Sequence, residues 1–433
     1  MDDGAQVSVD HSAALRRWWC LSGWLGVIAW AAAPARAEDR VSGPAGRPPD
    51  IRVLLMQGVT DFSLAIESPF EVREASGRLL LADAPPMERA SSVAVSSGSG
   101  PALRVAGRTF SASALEIVPH QSGALRVGLP EDRDSRALRR FRGYLRCVLH
   151  GDGTVDAINV VGVEDYLKSV LRGELPPNFH PETFKAQAVA ARTFALYQRQ
   201  TVGRRRDWDV TATQSSQMYT GIDGEEAASK AVVAVEETRG LVCTWSSPTG
   251  QRIFCTFYSA VCGGWTRGVA HISDSPAIPP LAGGVACGHC WKAPKGFFRW
   301  GPEVLPKRVI AQQLANRFER FRQLGPAARL EVATTDSAGR PVSIRVVDRH
   351  GRAETLKAES FRLAIDPAGL TIKSTDFKLV DGSDDVVFTH GRGWGHQAGL
   401  CQWGAEGLAR GGKKAAQILA TYYPTSRLTK AYE

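Results

Sequence analysis

Residues 174–199 read ELPPNFHPETFKAQAVAARTFALYQR, and they predict one long helix directly after a proline-rich turn. Pro181 suits the first helical position, and Glu182 favours the positive N-terminal end of a helix. Alanine dominates the interior, which favours close packing. We predict a helix from Pro181 to about Gln198.

The charged residues of this stretch suggest acid-base chemistry. Glu174 precedes Pro176 and Pro177, which break the chain, so we place it on a loop above the helix start. Lys185 and Arg192 are seven residues apart and should point together from one side of the helix. The alternative for Glu174 is a solvated surface carboxylate, because charged side chains usually stay in water.

The N-terminus is typical of an exported protein. Arg16 and Arg17 precede an apolar run from Trp18 to Ala33, and the run ends in Ala35-Arg36-Ala37, a small-x-small cleavage pattern. We predict a signal peptide over residues 1–37, or an uncleaved N-terminal membrane anchor, and a Pro/Gly-rich linker over 38–50. Both alternatives predict export to the periplasm or cell envelope.

The remaining pattern predicts an α+β protein. Short apolar or alternating segments separated by Gly, Pro, Ser or Asp follow one another over residues 51–143, which predicts a β-rich N-terminal region. Helical and strand patterns then alternate irregularly, which predicts a mixed α+β core. A loop-rich Cys/His region over residues 255–300 interrupts it.

The formal net charge of +9 favours a polyanionic partner or simply a soluble surface. The basic residues are dispersed, which argues against nucleic acid as the partner. For an exported protein, cell-envelope polymer is the more abundant polyanion. The chain lacks a G-x-S-x-G elbow, an H-E-x-x-H pair and a Rossmann-type glycine loop, which argues against those hydrolases and against dinucleotide binding.

Two polar segments are candidates for ligand binding. Residues 209–221 are rich in hydroxyls and amides, and from them we select Gln217 and Tyr219 as candidate substrate-binding residues. Residues 391–396 combine glycine, histidine and tryptophan, a mixture suited to sugar rings that stack on Trp394 or Trp403. A tightly packed structural loop is the alternative for that segment.

Four cysteines and two histidines gather between residues 255 and 290. Cys287 and Cys290 have the C-x-x-C spacing that lets two thiolates reach one zinc ion, and Cys262 on a Gly-Gly turn is a candidate third ligand. We take His271 as the fourth ligand, with His289 or Cys255 as alternatives. Such a zinc would be structural, and disulfides are the competing interpretation for an exported protein.

Four ordered blocks of this sequence resemble the stage II sporulation protein D and amidase-enhancer family of cell-wall proteins. The blocks comprise Val163–Leu167 with Glu174-Leu175-Pro176, then Lys185–Ala195, Ser259–Gly264, and Gly391–Ala405 with Tyr422-Tyr423-Pro424. They predict a catalytic domain over about residues 144–428.

The resemblance implies lytic transglycosylase activity on peptidoglycan glycan strands, with no catalytic cofactor. The bond cleaved is the β-1,4 bond from MurNAc to GlcNAc, which leaves a 1,6-anhydro end, and family members prefer glycan stripped of peptide stems. Glu174 matches the catalytic acid/base, and Lys185 and Arg192 match basic positions of the adjacent helix, so we take both as candidate substrate-binding residues. From the remaining blocks we add the candidate substrate-binding residues Ser259, His396, Gln402 and Trp403.

Two departures from the family pattern concern the metal and the last block. Trp265 stands where a histidine is expected after Cys-Gly-Gly, so the zinc ligands must differ from those of zinc-binding relatives. Gln397 replaces the last glycine of the usual Gly-His-Gly.

The proposed chemistry also constrains the surroundings of Glu174. A general acid needs a raised pKa, so Arg192 should lie at some distance from the Glu174 carboxyl. The family name leaves a second interpretation open, a non-catalytic wall-binding protein that enhances a partner amidase.

Overall fold

The computed structural model describes residues 48–96, 102–120, 123–129, 138–223, 225 and 229–433. The expected signal peptide at 1–37 and most of the linker at 38–50 lie outside the described residues. Within the described residues, none of the helices combines the length and the apolar character that crossing a membrane requires.

The N-terminal region is β-rich, as predicted. Its strands are β1 (Asp50–Val59), β2 (Asp61–Ile66), β3 (Phe70–Glu74), β4 (Leu79–Ala84), β5 (Met87–Ser96), β6 (Ala102–Val105), β7 (Arg108–Ser111), β8 (Ala114–Pro119), β9 (Leu125–Val127), β10 (Arg139–Phe141), β11 (Tyr144–Leu149), β12 (Val155–Gly162) and β13 (Val210–Thr211).

These strands form two sheets around one core. One sheet has the order β13-β1-β12-β11-β8-β3-β4, and the other has the order β10-β9-β2-β5-β6-β7. β8 and β11 alternate buried and partly buried residues, because one face of each strand is turned to the core. β12 is buried on both faces, since Trp208 packs with Ile158 and Val160 on the side away from that core.

Helices follow this sheet region. They are α1 (Val163–Glu174), α2 (Pro181–Gln200), α3 (Lys230–Glu237), α4 (Lys307–Arg317), α5 (Ala358–Ile365), α6 (Gln402–Arg410) and α7 (Ala415–Tyr422). The mixture of helices and strands confirms the predicted α+β class.

Helix α2 is the buried centre of the helical packing. Its alanines at 186, 188, 190, 191 and 195 are fully buried, and it contacts α1, α3, α6, α7 and β14. Small side chains let all these elements approach one helix closely. Its start is fixed by Pro181 and by His180, whose ring nitrogen Nδ1 accepts from the backbone N–H of Glu182 at 3.2 Å.

Most of the later strands have two to five residues. They are β14 (Leu241–Ser247), β15 (Gly250–Ile253), β16 (Tyr258–Ser259), β17 (Arg299–Trp300), β18 (Glu303–Pro306), β19 (Ala327–Thr335), β20 (Pro341–Asp348), β21 (Ala353–Lys357), β22 (Lys378–Asp381), β23 (Asp385–Thr389), β24 (Gly391–Arg392), β25 (Leu400–Cys401) and β26 (Arg427–Lys430).

Residues 299–392 build a module with its own hydrophobic core. Trp300, Ile310, Phe361 and Phe388 are among its buried residues, which are separate from the main core. The chain then returns to the main core, where β25 pairs with β16 and β26 pairs with β14. The cavity described next lies between this module and the main core.

Candidate active site

A cavity of about 410 Å³ is bounded by residues of both the main core and the 299–392 module. This size is within the range of small-ligand sites. The main core contributes Glu174, Met218, Tyr258, Ser259, Trp394, His396 and Gln402, and the module contributes Arg317, Phe318, Lys357, Glu359, Ser360 and Arg362.

Glu174 is the last residue of α1, so the prediction that it lies on a loop is wrong. Val163–Glu174 is an amphipathic segment whose apolar face is buried, and the helix ends where Pro176 and Pro177 forbid its continuation. Glu174 therefore lies at a helix C-terminus, where the unpaired carbonyl groups disfavour a negative charge.

The Glu174 carboxyl is buried, at 8% exposure, and is held by neutral donors. The backbone N–H of Met218 donates to Oε1 at 2.9 Å, and Nε2 of Gln402 donates to Oε2 at 3.3 Å. Burial raises the pKa of Glu174, and hydrogen bonds from Met218, Gln402 and the Tyr258 hydroxyl oppose part of that rise. The raised pKa favours a protonated carboxyl, as a general acid requires.

Gln402 reaches Glu174 because α6 is fixed to the start of α2. Glu406, one turn after Gln402, accepts from the His180 backbone N–H at 2.7 Å and from the Thr183 hydroxyl at 2.8 Å. Residues four apart share one helix face, so this anchor aims Gln402 at the end of α1. The predicted site residue Gln402 therefore lines the cavity.

Tyr258 links Glu174 to a buried row of hydrogen bonds. This tyrosine was not among the site residues predicted from the sequence. Gln217 donates to the Tyr258 hydroxyl at 3.0 Å and accepts from the Tyr166 hydroxyl at 2.9 Å. Burial raises the pKa of Tyr258, so its hydroxyl stays protonated and can donate to Glu174. Its position directly before the Ser259 block was the only signal in the sequence.

Two residues predicted to bind substrate lie behind the cavity wall. Gln217 is fully buried and positions Tyr258, and Tyr219 is 2% exposed and donates to Asn159 Oδ1 at 2.8 Å. Their neighbours Ser216 and Met218 line the cavity instead. The polar segment of residues 209–221 thus contributes to the cavity lining, but through Ser216 and Met218 and not through the two residues selected from the sequence.

Arg192 does not line the cavity either, contrary to the expected substrate-binding role. It is fully buried and binds Glu164 with two hydrogen bonds, Nε to Oε1 at 3.1 Å and Nη2 to Oε2 at 2.7 Å. Further hydrogen bonds join it to the carbonyl oxygens of Val235 and Leu241. Arg192 therefore connects α1, α2 and α3, and the bidentate pair with Glu174 that would oppose an acid role is not formed.

Lys185 is also away from the cavity lining and does not point together with Arg192. Its Nζ lies 3.2 Å from Glu182 and 2.5 Å from Glu237. The hydrogen bond with Glu237 raises the pKa of Lys185. A lysine engaged by two carboxylates stabilises the contact of α2 with α3 and is a poor candidate for substrate binding.

His396 and Ser259, both selected from the sequence as candidate substrate-binding residues, line the cavity. Burial lowers the pKa of His396 to about 4, so the ring is neutral. Its Nδ1 accepts from the Ala398 backbone N–H at 3.1 Å, and the ring also hydrogen-bonds the Tyr258 backbone. His396 thus positions Tyr258, whereas the buried Ser259 Oγ has no hydrogen-bond partner among the described residues and can accept or donate to a ligand.

Of the two tryptophans considered, Trp394 lines the cavity and Trp403 does not. Trp403 packs edge-on against Phe179 with ring centroids 5.0 Å apart. Trp403 is partly buried between α6 and the proline turn, so its selection as a substrate-binding residue has no support from this cavity.

Four buried cysteines meet next to the chain segments that carry Ser259 and Gln402. The sulfur atoms of Cys262, Cys287, Cys290 and Cys401 all lie within 4.8 Å of one another. A tetrahedral zinc with Zn–S bonds near 2.3 Å places its sulfurs about 3.8 Å apart. Cys262 and Cys290 have this separation, 3.8 Å, so the donor set fits a structural zinc.

The fourth member of this cluster is Cys401, and His271, selected from the sequence, is not part of it. Cys401 is 111 residues beyond Cys290, and only the pairing of β25 with β16 brings it close. The predicted alternatives Cys255 and His289 are also outside the cluster, and none of the seven cysteines in the described part of the chain forms a disulfide.

Comparison with known proteins finds a family model that matches part of this chain. Residues 151–245 match the family model described as stage II sporulation protein. This part of the chain therefore resembles a stage II sporulation protein domain. This domain includes Glu174, Lys185, Arg192, Gln217 and Tyr219, and it confirms the family predicted from the sequence.

Similar curated proteins extend the family resemblance beyond that domain. An uncharacterized protein of Brachyspira hyodysenteriae is 29% identical over 283 residues, which cover 65% of this chain and 70% of the relative. Stage II sporulation protein D of Bacillus subtilis is 27% identical over 287 residues, or 64% of this chain and 76% of the relative. The amidase enhancer of Bacillus subtilis is 25% identical over 303 residues, or 61% of this chain and 40% of the relative.

Proposed function

We propose that this protein is an exported lytic transglycosylase that cleaves the MurNAc–GlcNAc β-1,4 bonds of peptidoglycan glycan strands. The observation that supports the proposal is the state of Glu174, a buried cavity-lining carboxyl held only by uncharged donors. The family match and the names of the relatives support a role at the cell wall. The predicted signal peptide is the basis for export to the cell envelope.

Charge pairing within the cavity singles out Glu174. Three carboxyls line it, and two of them face cations: Glu359 pairs with Arg362 at 2.6 Å, and Asp274 pairs with Lys357 at 3.1 Å. Of these three carboxyls, Glu174 alone has no ion-pair partner among the residues that the structure describes. An unpaired buried carboxyl is the one that can carry a proton near neutral pH.

One carboxyl is sufficient for this reaction. Protonated Glu174 donates its proton to the glycosidic oxygen as the bond from C1 of MurNAc to that oxygen breaks. The resulting carboxylate then accepts the proton of the C6 hydroxyl as that oxygen bonds to C1, which closes the 1,6-anhydro ring and restores the acid. A hydrolytic glycosidase instead uses two carboxyls and a water molecule.

Tyr258, Gln402 and the Met218 N–H support both halves of this cycle. Their hydrogen bonds stabilise the carboxylate that forms after the first proton transfer, while burial and the helix end favour the acid before it. Burial and these hydrogen bonds thus act in opposite directions on the pKa of Glu174, as suits a group that alternates between acid and base.

The experiment that tests the proposal is digestion of denuded peptidoglycan by the mature protein alone, followed by mass analysis of the glycan ends. We expect 1,6-anhydro-muramoyl ends from the wild type and from the control Glu237→Gln, whose carboxyl is outside the cavity lining. We expect none from Glu174→Gln. Equal product from all three proteins would overturn the assignment of Glu174.

A second proposal concerns zinc, which would be held by Cys262, Cys287, Cys290 and Cys401. Bound there, it would supply structural cross-linking, because four protein ligands leave no open position for water. Cys401 directly precedes Gln402, so the cluster would fix the start of α6. We expect about one zinc per chain by metal analysis, lost in Cys401→Ser and kept in His271→Ala.

The relative named amidase enhancer supports a second candidate function, stimulation of a cell-wall amidase without catalysis by this chain. Both functions require a glycan-binding cavity, so the activity of the isolated protein separates them. An enhancer would release no anhydro ends alone but would accelerate stem-peptide release by an added amidase, and Glu174→Gln would stimulate as well as wild type.

A further inference from the structure

One cation of the cavity wall has no carboxylate to balance it. Three cationic side chains line the cavity, and Lys357 and Arg362 are paired with Asp274 and Glu359. The third, Arg317, forms no ion pair with any residue that the structure describes. The lining thus holds three cationic side chains and only two carboxylates that pair with them, so no ion pair among the described residues balances the charge of Arg317.

The guanidinium of Arg317 has few hydrogen-bond acceptors around it. It is the last residue of α4, and its Nη1 donates to the Leu363 carbonyl oxygen at 3.3 Å. Its Nε is buried and has no acceptor among the described residues. Burial is the only cause that acts on its pKa, which it lowers, so no acidic side chain is close enough to offset the loss of water.

A cation at a helix C-terminus interacts favourably with the helix dipole, and this explains why arginine is tolerated there. It does not explain why the side chain turns into the cavity, or why a guanidinium with five donors remains short of acceptors. Planar guanidinium groups bind carboxylates through paired hydrogen bonds. A carboxylate is therefore the kind of acceptor that Arg317 lacks.

We propose that Arg317 binds the carboxylate of an acidic sugar in the glycan substrate. The inference rests on the proposed function, and in that glycan the acidic group is the lactyl carboxylate of the muramoyl residue. A stem peptide converts this carboxylate into an uncharged amide, whereas a stripped strand keeps it. Arg317 would therefore make the cavity selective for glycan without stems, and the selectivity would come from the 299–392 module instead of from the matched family domain.

The experiment compares two forms of one denuded glycan: untreated, and with its carboxyls coupled to methylamine to form neutral amides. Wild type, Arg317→Gln, Arg317→Lys and Arg308→Gln are assayed on both forms. Arg308 is an exposed residue of the same helix and is outside the cavity lining, so it controls for loss of one positive charge. Thermal unfolding of each variant verifies folding.

For wild type and Arg308→Gln, we expect amidation to lower kcat/KM by about ten- to a hundredfold, the loss expected for one charge-assisted hydrogen-bonded contact. Arg317→Gln should lose a similar factor on untreated glycan and nothing further on amidated glycan. Arg317→Lys should retain part of the discrimination, because it keeps the charge without the paired geometry.

Two outcomes would overturn the inference while leaving the proposed function intact: wild type that cleaves both glycans equally well, or Arg317→Gln that loses the same factor on both. If wild type forms no anhydro ends from either glycan, the proposed function has failed. Sedimentation of the protein with each of the two insoluble glycans then tests the inference separately. The inference is supported if wild type binds the untreated glycan more strongly than the amidated one and Arg317→Gln does not. Equal binding of wild type to the two glycans opposes it.

Discussion

Helix α1 carries two buried glutamates at its two ends, and they have opposite environments. Glu164 in the first turn is 7% exposed, and Glu174 at the last position is 8% exposed. Glu164 binds the Arg192 guanidinium and also accepts from the Gly240 N–H and the Tyr432 hydroxyl. Glu174 has only neutral donors and a helix end that disfavours its anion.

The difference teaches that burial alone does not decide the role of a carboxyl. Glu164 lies at the helix N-terminus and pairs with the buried Arg192, which makes that residue a structural anchor. At Glu174 the same residue type, equally buried, has no cation that compensates for lost water, and burial raises its pKa. Partners and position on the helix therefore separate a structural glutamate from a candidate catalytic one.

The largest expected effect comes from neutralising Glu174. Glu174→Gln keeps the size of the side chain and its capacity to accept from Met218, but it removes the transferable proton. We expect cleavage of denuded glycan to fall by about 10²–10⁴. Turnover assays combined with binding assays check this, and a variant that loses binding as strongly as turnover would point to a binding role instead.

Breaking the pair at the other end of the helix should lower stability. Arg192→Met leaves Glu164 buried without its cation, and we expect the free energy of unfolding to fall by about 3–5 kcal/mol. Urea unfolding measures the loss. The double variant Arg192→Met with Glu164→Leu should recover part of it, whereas a double variant as unstable as the single one would show that other contacts of Arg192 dominate.

The hydroxyl of Tyr258 should matter less than the Glu174 proton but should shift its titration. Tyr258→Phe removes one donor that stabilises the carboxylate, so the pKa of Glu174 should rise further and turnover should fall by about tenfold. The pH dependence of kcat/KM reports both changes. Tyr219→Phe is the control, since that hydroxyl bonds Asn159 and should leave the pH profile unchanged.

The smallest expected effect is a pH-dependent change in the contribution of Glu174 to the free energy of unfolding. Because its folded-state pKa is raised, the proton-bound form stabilises the fold below the unfolded-state pKa, and this contribution is lost as pH rises through the folded-state pKa. Glu174→Gln does not titrate, so it should become progressively more stable than wild type as pH rises through that window. Thermal unfolding across pH tests this, and a constant difference would mean that the carboxyl is not perturbed.

The sequence predicted the local features of this site well. The helix predicted from Pro181 to about Gln198 is present as Pro181–Gln200. It is marked by nearby signals, a first-turn proline and a run of good helix formers. The choice of Glu174 and Gln402 likewise came from short blocks of sequence, and both line the cavity.

The sequence could not show which side chains meet across the fold. The partner of Arg192 is Glu164, 28 residues earlier in the sequence. The fourth thiol of the cysteine cluster is Cys401, which is far along the sequence from the other three. Helical spacing suggested that Lys185 and Arg192 share a surface, but α2 is surrounded on nearly all sides, so its arginine is buried. Arg317 was not selected because it belongs to a module whose contact with the cavity depends on tertiary packing.

The central claim is that one carboxyl, Glu174, both donates and takes back the proton, so that no water enters the product. Digestion of denuded glycan in water labelled with a heavy oxygen isotope tests it directly. The account predicts unlabelled 1,6-anhydro-muramoyl ends, formed by wild type and not by Glu174→Gln. Reducing muramoyl ends that carry the heavy oxygen would contradict it and would indicate a hydrolase.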